Sequence, residues 1–169
     1  MSPRRKDAMR LRTIEDLDII KRFTLEISSI NSHLKELRQI WSKTLGISGP
    51  QWMILIAVSD LDKDGGVPVN VVSKLLHVDP SFVTTHSKLL EQKGLLRRAS
   101  SPTDARVVQM SLTEKTWKHM ASLAEQHSAI RKFVFEEFNR NELIAFTAKL
   151  ATLNKRLEKV CLRVAADFI

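Results

Sequence analysis

Between positions 81 and 88 lie three hydroxyls and an ammonium at helical spacing. Ser81, Thr84, Thr85 and Lys88 are three and four residues apart in overlapping pairs, so a helix turning 100° per residue brings them to one side. Val83, His86, Ser87 and Leu90 fall on the other side. Small polar donors of this kind suit hydrogen bonds to base edges and phosphate oxygens in a DNA major groove. An ordinary solvated face has the same pattern, so the wheel alone leaves both readings open. A second group follows within twenty residues: Arg97, Arg98 and Arg106, with Asp104 two positions before the last. Guanidinium groups on a turn tip suit the negative potential of a minor groove, and Asp104 is expected to orient Arg106 by a charge-assisted bond. The bland reading of Asp104 and Arg106 is a solvated surface pair of little energetic consequence.

The elements that would position these groups can be read from the same stretch. Asn70 is expected to cap a short helix to about Leu76, with Val72, Leu75 and Leu76 facing inward. Asp79-Pro80 predicts a second helix start, with an acceptor for the free N–H groups of the first turn and a proline where no N–H is needed. That helix should run to Lys93 and stop at Gly94 in a left-handed cap. Extended runs are expected at Leu95–Ser100 and Val107–Leu112, the second with apolar Val108, Met110 and Leu112 alternating with Gln109 and Ser111. Ser101-Pro102-Thr103-Asp104 between them is turn chemistry. Two short helices followed by a hairpin define a winged helix-turn-helix, with Ser81, Thr84, Thr85 and Lys88 on its reading helix and Arg97, Arg98, Asp104 and Arg106 on its wing.

On these residues the chain resembles the multiple-antibiotic-resistance regulator (MarR) family of bacterial transcription factors. The matching features are the Leu-Leu-Glu-Gln-Lys-Gly-Leu-Leu-Arg-Arg run at 89–98, the Asp-x-Arg wing at 104–106, Leu112-Thr113 opening the next helix, and Gln51-Trp52 with the apolar run to Val58. The resemblance covers the chain from about residue 14 to residue 165 and is most specific over 81–113. It implies a winged-helix homodimer on a near-palindromic operator, usually a repressor released by a small molecule. The chain departs from the family at His86, where many members have an apolar residue, and at Thr85 and Leu89, where many carry arginine. Thr116-Trp117 stands where a glycine is usual, which is expected to stiffen or lengthen the start of the following helix.

Composition agrees. The 169 residues suffice for one domain or a domain with an extension. Five glycines and five prolines favour helices over many turns. One cysteine excludes an internal disulfide framework, and no apolar run is long enough to span a bilayer, so a cytoplasmic protein is expected. The net charge of +8 is concentrated: residues 1–12 hold five cations and one acid, and residues 74–106 hold six cations and three acids. That is the placement of an electrostatic DNA footprint. Residues 1–13 are expected to form a basic, disordered arm, either lying along DNA or serving only to solubilise.

Two long apolar seams flank the reading unit. Ile20, Phe23, Ile27, Ile30, Leu34, Leu37 and Trp41 alternate steps of three and four, as do Leu143, Phe146, Leu150, Leu153, Leu157, Val160 and Val164. Asn139 and Glu142 have capping-box spacing at the start of the second seam. The seams could be used within one subunit. Since the middle of the chain supplies its own core, the simpler reading is a two-fold dimer through both seams, with Ile20, Phe23, Ile27, Leu150, Leu153, Leu157 and Val160 at its interface. It would present two reading helices about 34 Å apart. The expected fold is therefore mainly α with a small β-wing: an N-terminal dimerisation helix over 14–46, a winged helix-turn-helix over 47–113, and C-terminal dimerisation helices over 114–169.

Other constellations carry less. His33, His77, His86, His119 and His127 have no metal-ligand spacing, and neither a metal site nor a cofactor is expected. His86 is read as a hydrogen-bonded core residue bracing the reading helix, and Cys161 as a buried structural thiol rather than a peroxide sensor. The resemblance implies a cleft for an aromatic acid, phenol or thioester between the dimer helices and the winged helix. Trp41 and Trp52 could wall it, with Arg38 or His33 meeting a carboxylate. Plain core is the alternative for the tryptophans, and solvation for Arg38. No glycine-rich phosphate loop, nucleophile elbow or metal triad supports an enzyme. The leading reading is a ligand-responsive, DNA-binding regulator with double-stranded DNA and itself as partners. The alternatives are a non-specific basic DNA-coating protein and a winged helix used only as a protein-interaction module.

Overall fold

The computed structural model describes residues 14–62 and 65–167. The expected N-terminal arm lies outside them. Among these described residues, seven helices and three strands follow in order: α1 (Ile14–Thr44), α2 (Gly49–Leu61), β1 (Val67–Pro68), α3 (Val69–Leu76), α4 (Pro80–Gln92), β2 (Leu96–Ser100), β3 (Val108–Leu112), α5 (Glu114–Ser122), α6 (Ala124–Phe135) and α7 (Arg140–Asp167). The chain divides into two compact units, one ending at Trp117 and the other beginning at Lys118.

In the first unit, α1 ends in a turn at Leu45-Gly46 and α2 begins at once behind a capping box. The Ser48 side chain accepts from Gln51 N–H, and the Gln51 side chain accepts from Ser48 N–H at 3.0 Å. Helix α2 is buried along most of its length, as its apolar run predicts, and forms the middle of the core. Trp52, Ile54, Leu55 and Val58 from α2 are buried, as are Val72, Val83, Leu90, Leu96, Met110 and Leu112 from the elements that follow.

The three strands form one antiparallel sheet in the order β1-β3-β2. The hairpin is in the expected register, Leu96 opposite Leu112 and Ser100 opposite Val108. Strand β1 was not foreseen. Val67 and Pro68 pair with Met110 and Gln109, so the backbone is extended up to Pro68 and α3 starts immediately after it. This corrects the expected Asn70 cap: the capping position is Pro68, which makes no side-chain bond. Gly66, entering β1 at φ +74°, lies so close to β3 that a Cβ would stand 3.2 Å from Gln109 Cβ, so the approach needs glycine. Leu75 is also corrected: it faces outward, half exposed.

The turn between α3 and α4 uses a left-handed residue, His77 at φ 53°, ψ 46°. Helix α4 begins as expected, with Asp79 as its cap and Pro80 in the first turn, and ends at Gly94, left-handed at φ +68°. Past the wing, Thr113 and Thr116 bind the start of α5 to the end of α4. Thr113 Oγ1 donates to Gly94 O at 3.0 Å, and Thr116 Oγ1 donates to Leu95 O at 2.7 Å from a fully buried position. Thr116 thus fixes where the first turn of α5 sits.

In the second unit, α6 and α7 are joined by Glu136–Asn139, and α7 opens on the capping box expected from sequence. Asn139 Oδ1 accepts from Asn141 and Glu142 N–H, and Glu142 Oε2 accepts from Asn139 N–H, each at 3.0 Å. Phe135, Phe138 and Phe146 cluster with ring centroids 6.1 to 6.4 Å apart in successive pairs.

Candidate nucleic-acid interface

Helix α4 owes its orientation to the face it buries. Val83, Ser87 and Leu90 are inside, and the Ser87 hydroxyl donates back to Thr84 O. The opposite side therefore faces out, with Ser81, Thr85 and Lys88 exposed and Thr84 partly covered. Leu89, four residues after Thr85, is also exposed, and an apolar side chain there could have been found from that spacing. At the helix start Asp79 Oδ1 accepts from Ser81 N–H at 2.7 Å. Bonding from the Ser81 hydroxyl, and then from its N–H, holds the Asp79 carboxyl below the usual carboxylate range.

The wing tip is ordered by short local bonds. Ser101 N–H donates to Val107 O at 2.8 Å, and Val107 N–H to Asp104 O at 2.9 Å. Asp104 Oδ1 accepts from the backbone N–H of Arg106 at 3.0 Å. This corrects the expected pairing of Asp104 with the guanidinium: a carboxylate two residues before an N–H closes an Asx turn more readily than it reaches along a long side chain. Arg106 is left extended into solvent, and Arg97 is exposed on β2.

Arg98 is placed differently. Its side chain is only 12% exposed, its Nη1 lies 3.8 Å from Glu91 Oε2, and its backbone N–H donates to Glu91 Oε1 at 3.0 Å. Strand alternation turns residue 98 inward when residue 97 points out. Glu91, on the last turn of α4, is the partner, and the seven-residue spacing across the α4–β2 turn is the signal in sequence that points to it. His86 is corrected too: its Nδ1 is buried with no hydrogen-bond partner, and its ring packs on Phe82 with centroids 4.3 Å apart.

A cleft of about 320 Å³ opens between α1, the start of α2 and the α3–α4 turn. Lys35, Arg38 and Gln39 line one side, and Met53, Leu76, Val78 and Phe82 the other. Of the residues expected at an effector cleft, Arg38 lines this one, with its Nη1 3.7 Å from Met53 Sδ. Trp41, Trp52 and His33 do not line the cleft. Trp52 is 1% exposed, 6.3 Å from Trp41 between ring centroids, and belongs to the core; His33 is exposed elsewhere on α1. On the seams, Ile20, Phe23, Leu153, Leu157 and Val160 are exposed, and Ile27 and Leu150 are partly covered. Cys161 is exposed rather than buried. Among the described residues no cluster of metal-binding side chains occurs, and no helix is long and apolar enough to cross a membrane.

A helix-turn-helix whose second helix offers a polar face, followed by an arginine-tipped hairpin, makes this a winged-helix protein of the kind found in transcriptional regulators. The MarR family profile matches residues 45–107. The chain is 30% identical over 108 residues to the HTH-type transcriptional repressor MdtR of Bacillus subtilis, covering 62% of this chain and 70% of that protein. It belongs to the MarR family of transcriptional regulators. Its fold is similar to Streptococcus pneumoniae FabT in complex with DNA, at TM-score 0.61 and 25% identity, covering 83% of this chain and 99% of that one. It is also similar to the S. aureus MepR–DNA complex, at TM-score 0.68 and 18% identity, covering 80% and 96%.

Proposed function

We propose that the chain is a sequence-specific double-stranded DNA-binding regulator that acts as a homodimer on a near-palindromic operator, as a repressor and not as an enzyme. One observation carries this reading: Ser81, Thr85 and Lys88 stand exposed on a helix whose other face is locked in the core, with Arg106 exposed on the adjoining wing. Each α4 lies in a major groove, where Leu89 adds an apolar surface suited to a thymine methyl group. Each Arg106 enters a flanking minor groove. The exposed seams of α1 and α7 are the dimer surfaces, long apolar faces that a second copy would cover. The relatives bound to DNA and the named repressor support the same reading. The protein works on DNA in the bacterial cytoplasm.

The cleft beside Arg38 and Lys35 is the effector site. Two cations facing an apolar wall suit a small organic anion such as an aromatic acid. It shifts the protein away from DNA only by binding the released form more tightly.

Selection of bound sequences from a random DNA pool at about physiological salt tests the reading. An inverted repeat with half-sites about one helical turn apart is expected. Binding without a motif that vanishes as salt rises would replace it with a non-specific coat protein, and no binding would point to protein partners.

A further inference from the structure

We infer that Glu91 and Arg98 form a positioning pair that sets the angle between the reading helix and the wing, and that Arg98 acts on DNA only through Glu91. The inference rests on the DNA-binding reading above.

The geometry ties two elements at one carboxylate. One oxygen of Glu91, on the last turn of α4, takes the backbone N–H of Arg98 on β2 at 3.0 Å, and the other faces the Arg98 guanidinium at 3.8 Å. The first contact holds the strand itself, so the wing cannot swing from α4 without breaking it. The Arg98 stem is packed inward: its Nε is buried with no hydrogen-bond partner, and its register partner on β3 is the fully buried Met110. Arg98 therefore cannot reach a phosphate without giving up both its packing and its partner. Arg97, one position away, is exposed and has no such anchor.

Electrostatics gives the pair a second effect. Glu91 is half exposed and lies one turn beyond Lys88, on a helix meant to lie against phosphates. An unpaired carboxylate there would repel the DNA backbone, and Arg98 offsets it from the protein side. Loss of Arg98 thus weakens binding even though no DNA contact is lost. The same loss in a chain lacking Glu91 has little left to disturb.

This separates Arg98 from a phosphate contact in a double-mutant cycle on the full chain. Binding to a fluorescein-labelled duplex carrying the selected inverted repeat would be followed by anisotropy across a salt series, with thermal unfolding as the fold control. Glu91→Ala and Arg98→Ala are each expected to weaken binding about three- to thirtyfold, within the range of coupling between contacting residues, with the double variant no weaker than the worse single one. The slope of log K against log salt should change by well under the roughly 0.9 of one phosphate contact, and hydroxyl-radical protection should fall at the wing flanks before the centre. Additive losses with a slope shallower by about 0.9 for Arg98→Ala would make Arg98 a phosphate contact and overturn the inference, as would single variants that bind like the parent. Should Arg98→Ala fail to fold, Arg98→Met, which keeps an apolar stem against Met110 but loses the guanidinium, replaces it in the cycle with Glu91→Ala, with the same coupled losses expected and additive losses overturning the inference. If the parent chain itself binds no DNA, the functional reading falls first.

Discussion

The Thr116 hydroxyl is the most sharply testable feature of the frame around the reading helix. It is fully buried and donates to Leu95 O at 2.7 Å across 21 residues of sequence. Thr116→Val keeps the volume and removes the donor. The Leu95 carbonyl then keeps only Thr113 N–H, at 3.3 Å. A buried hydrogen bond contributes about 1 kcal/mol net, and an orphaned buried acceptor costs about 1–3 kcal/mol. Because Leu95 O keeps one longer bond, only part of that penalty applies, and the expected loss is about 1–2 kcal/mol. Equilibrium urea unfolding at fixed protein concentration, followed by tryptophan fluorescence, reads it as a lower midpoint at unchanged slope. Thr116→Ser keeps the donor and gives up one methyl, about 0.8 kcal/mol by area alone, so it should be the milder change. A Val variant as stable as the parent would show that the hydroxyl is dispensable and that packing alone holds α5 to the end of α4.

Arg106→Ala should weaken operator binding and make the salt dependence shallower by about 0.9, the value for one phosphate contact; an unchanged slope in anisotropy titrations would place the wing tip off the DNA. Leu157→Glu puts a charge on the α7 seam and should shift the protein toward monomer in sedimentation velocity, whereas a variant that stays dimeric would remove that seam from the interface. Asp79 predicts a pH effect. Its folded-state value is depressed, so the unfolded chain takes the proton first, and the stabilisation is complete above pH 3.8 and is lost as pH falls below it. Asp79→Asn should flatten the acid side of the stability profile, and an unaltered profile would mean that the cap carries no such linkage.

What could be read from the sequence was mostly what local chemistry decides. Asp79-Pro80 and Gly94 bracket α4 because a cap acceptor, a residue without an N–H and a left-handed glycine act within one turn. The Asn139 and Glu142 box works in the same way. Alternation placed β3 and its buried Met110. The readings that failed depended on partners in other elements. Asn70 lost its capping role because β3 pairs with Pro68 some forty residues earlier in the chain. Arg98 was expected to be as open as Arg97, but Glu91, seven residues away on α4, faces it. Trp52 suited a cleft wall by type, but the inner face of α2 left it no route to the surface. Charge and periodicity say which residue types share a side; they do not say which of two adjacent arginines is turned in.

The hydrogen bonds that tie α4 to other elements are concentrated at its C-terminal end, where they form a pivot. Glu91 holds β2, Lys93 Nζ donates to Gly46 O in the α1–α2 turn, and Gly94 and Leu95 are held by Thr113 and Thr116. The cleft touches α4 near the other end, at Phe82. A ligand pressing there acts on a lever pivoted near Glu91, about 13 Å away at 1.5 Å per residue. A displacement of about 1 Å at Phe82 then moves Ser81 by about as much, and Lys88 by only about a third of an ångström. Base contacts at the start of the reading helix would be lost first, while the wing and Lys88 stay near the backbone. Release along this route lowers sequence preference before it lowers electrostatic affinity. A saturating aromatic acid should therefore reduce discrimination between operator and random duplex more than it reduces binding to random duplex. Equal losses on both duplexes would show that the ligand moves the whole reading unit instead.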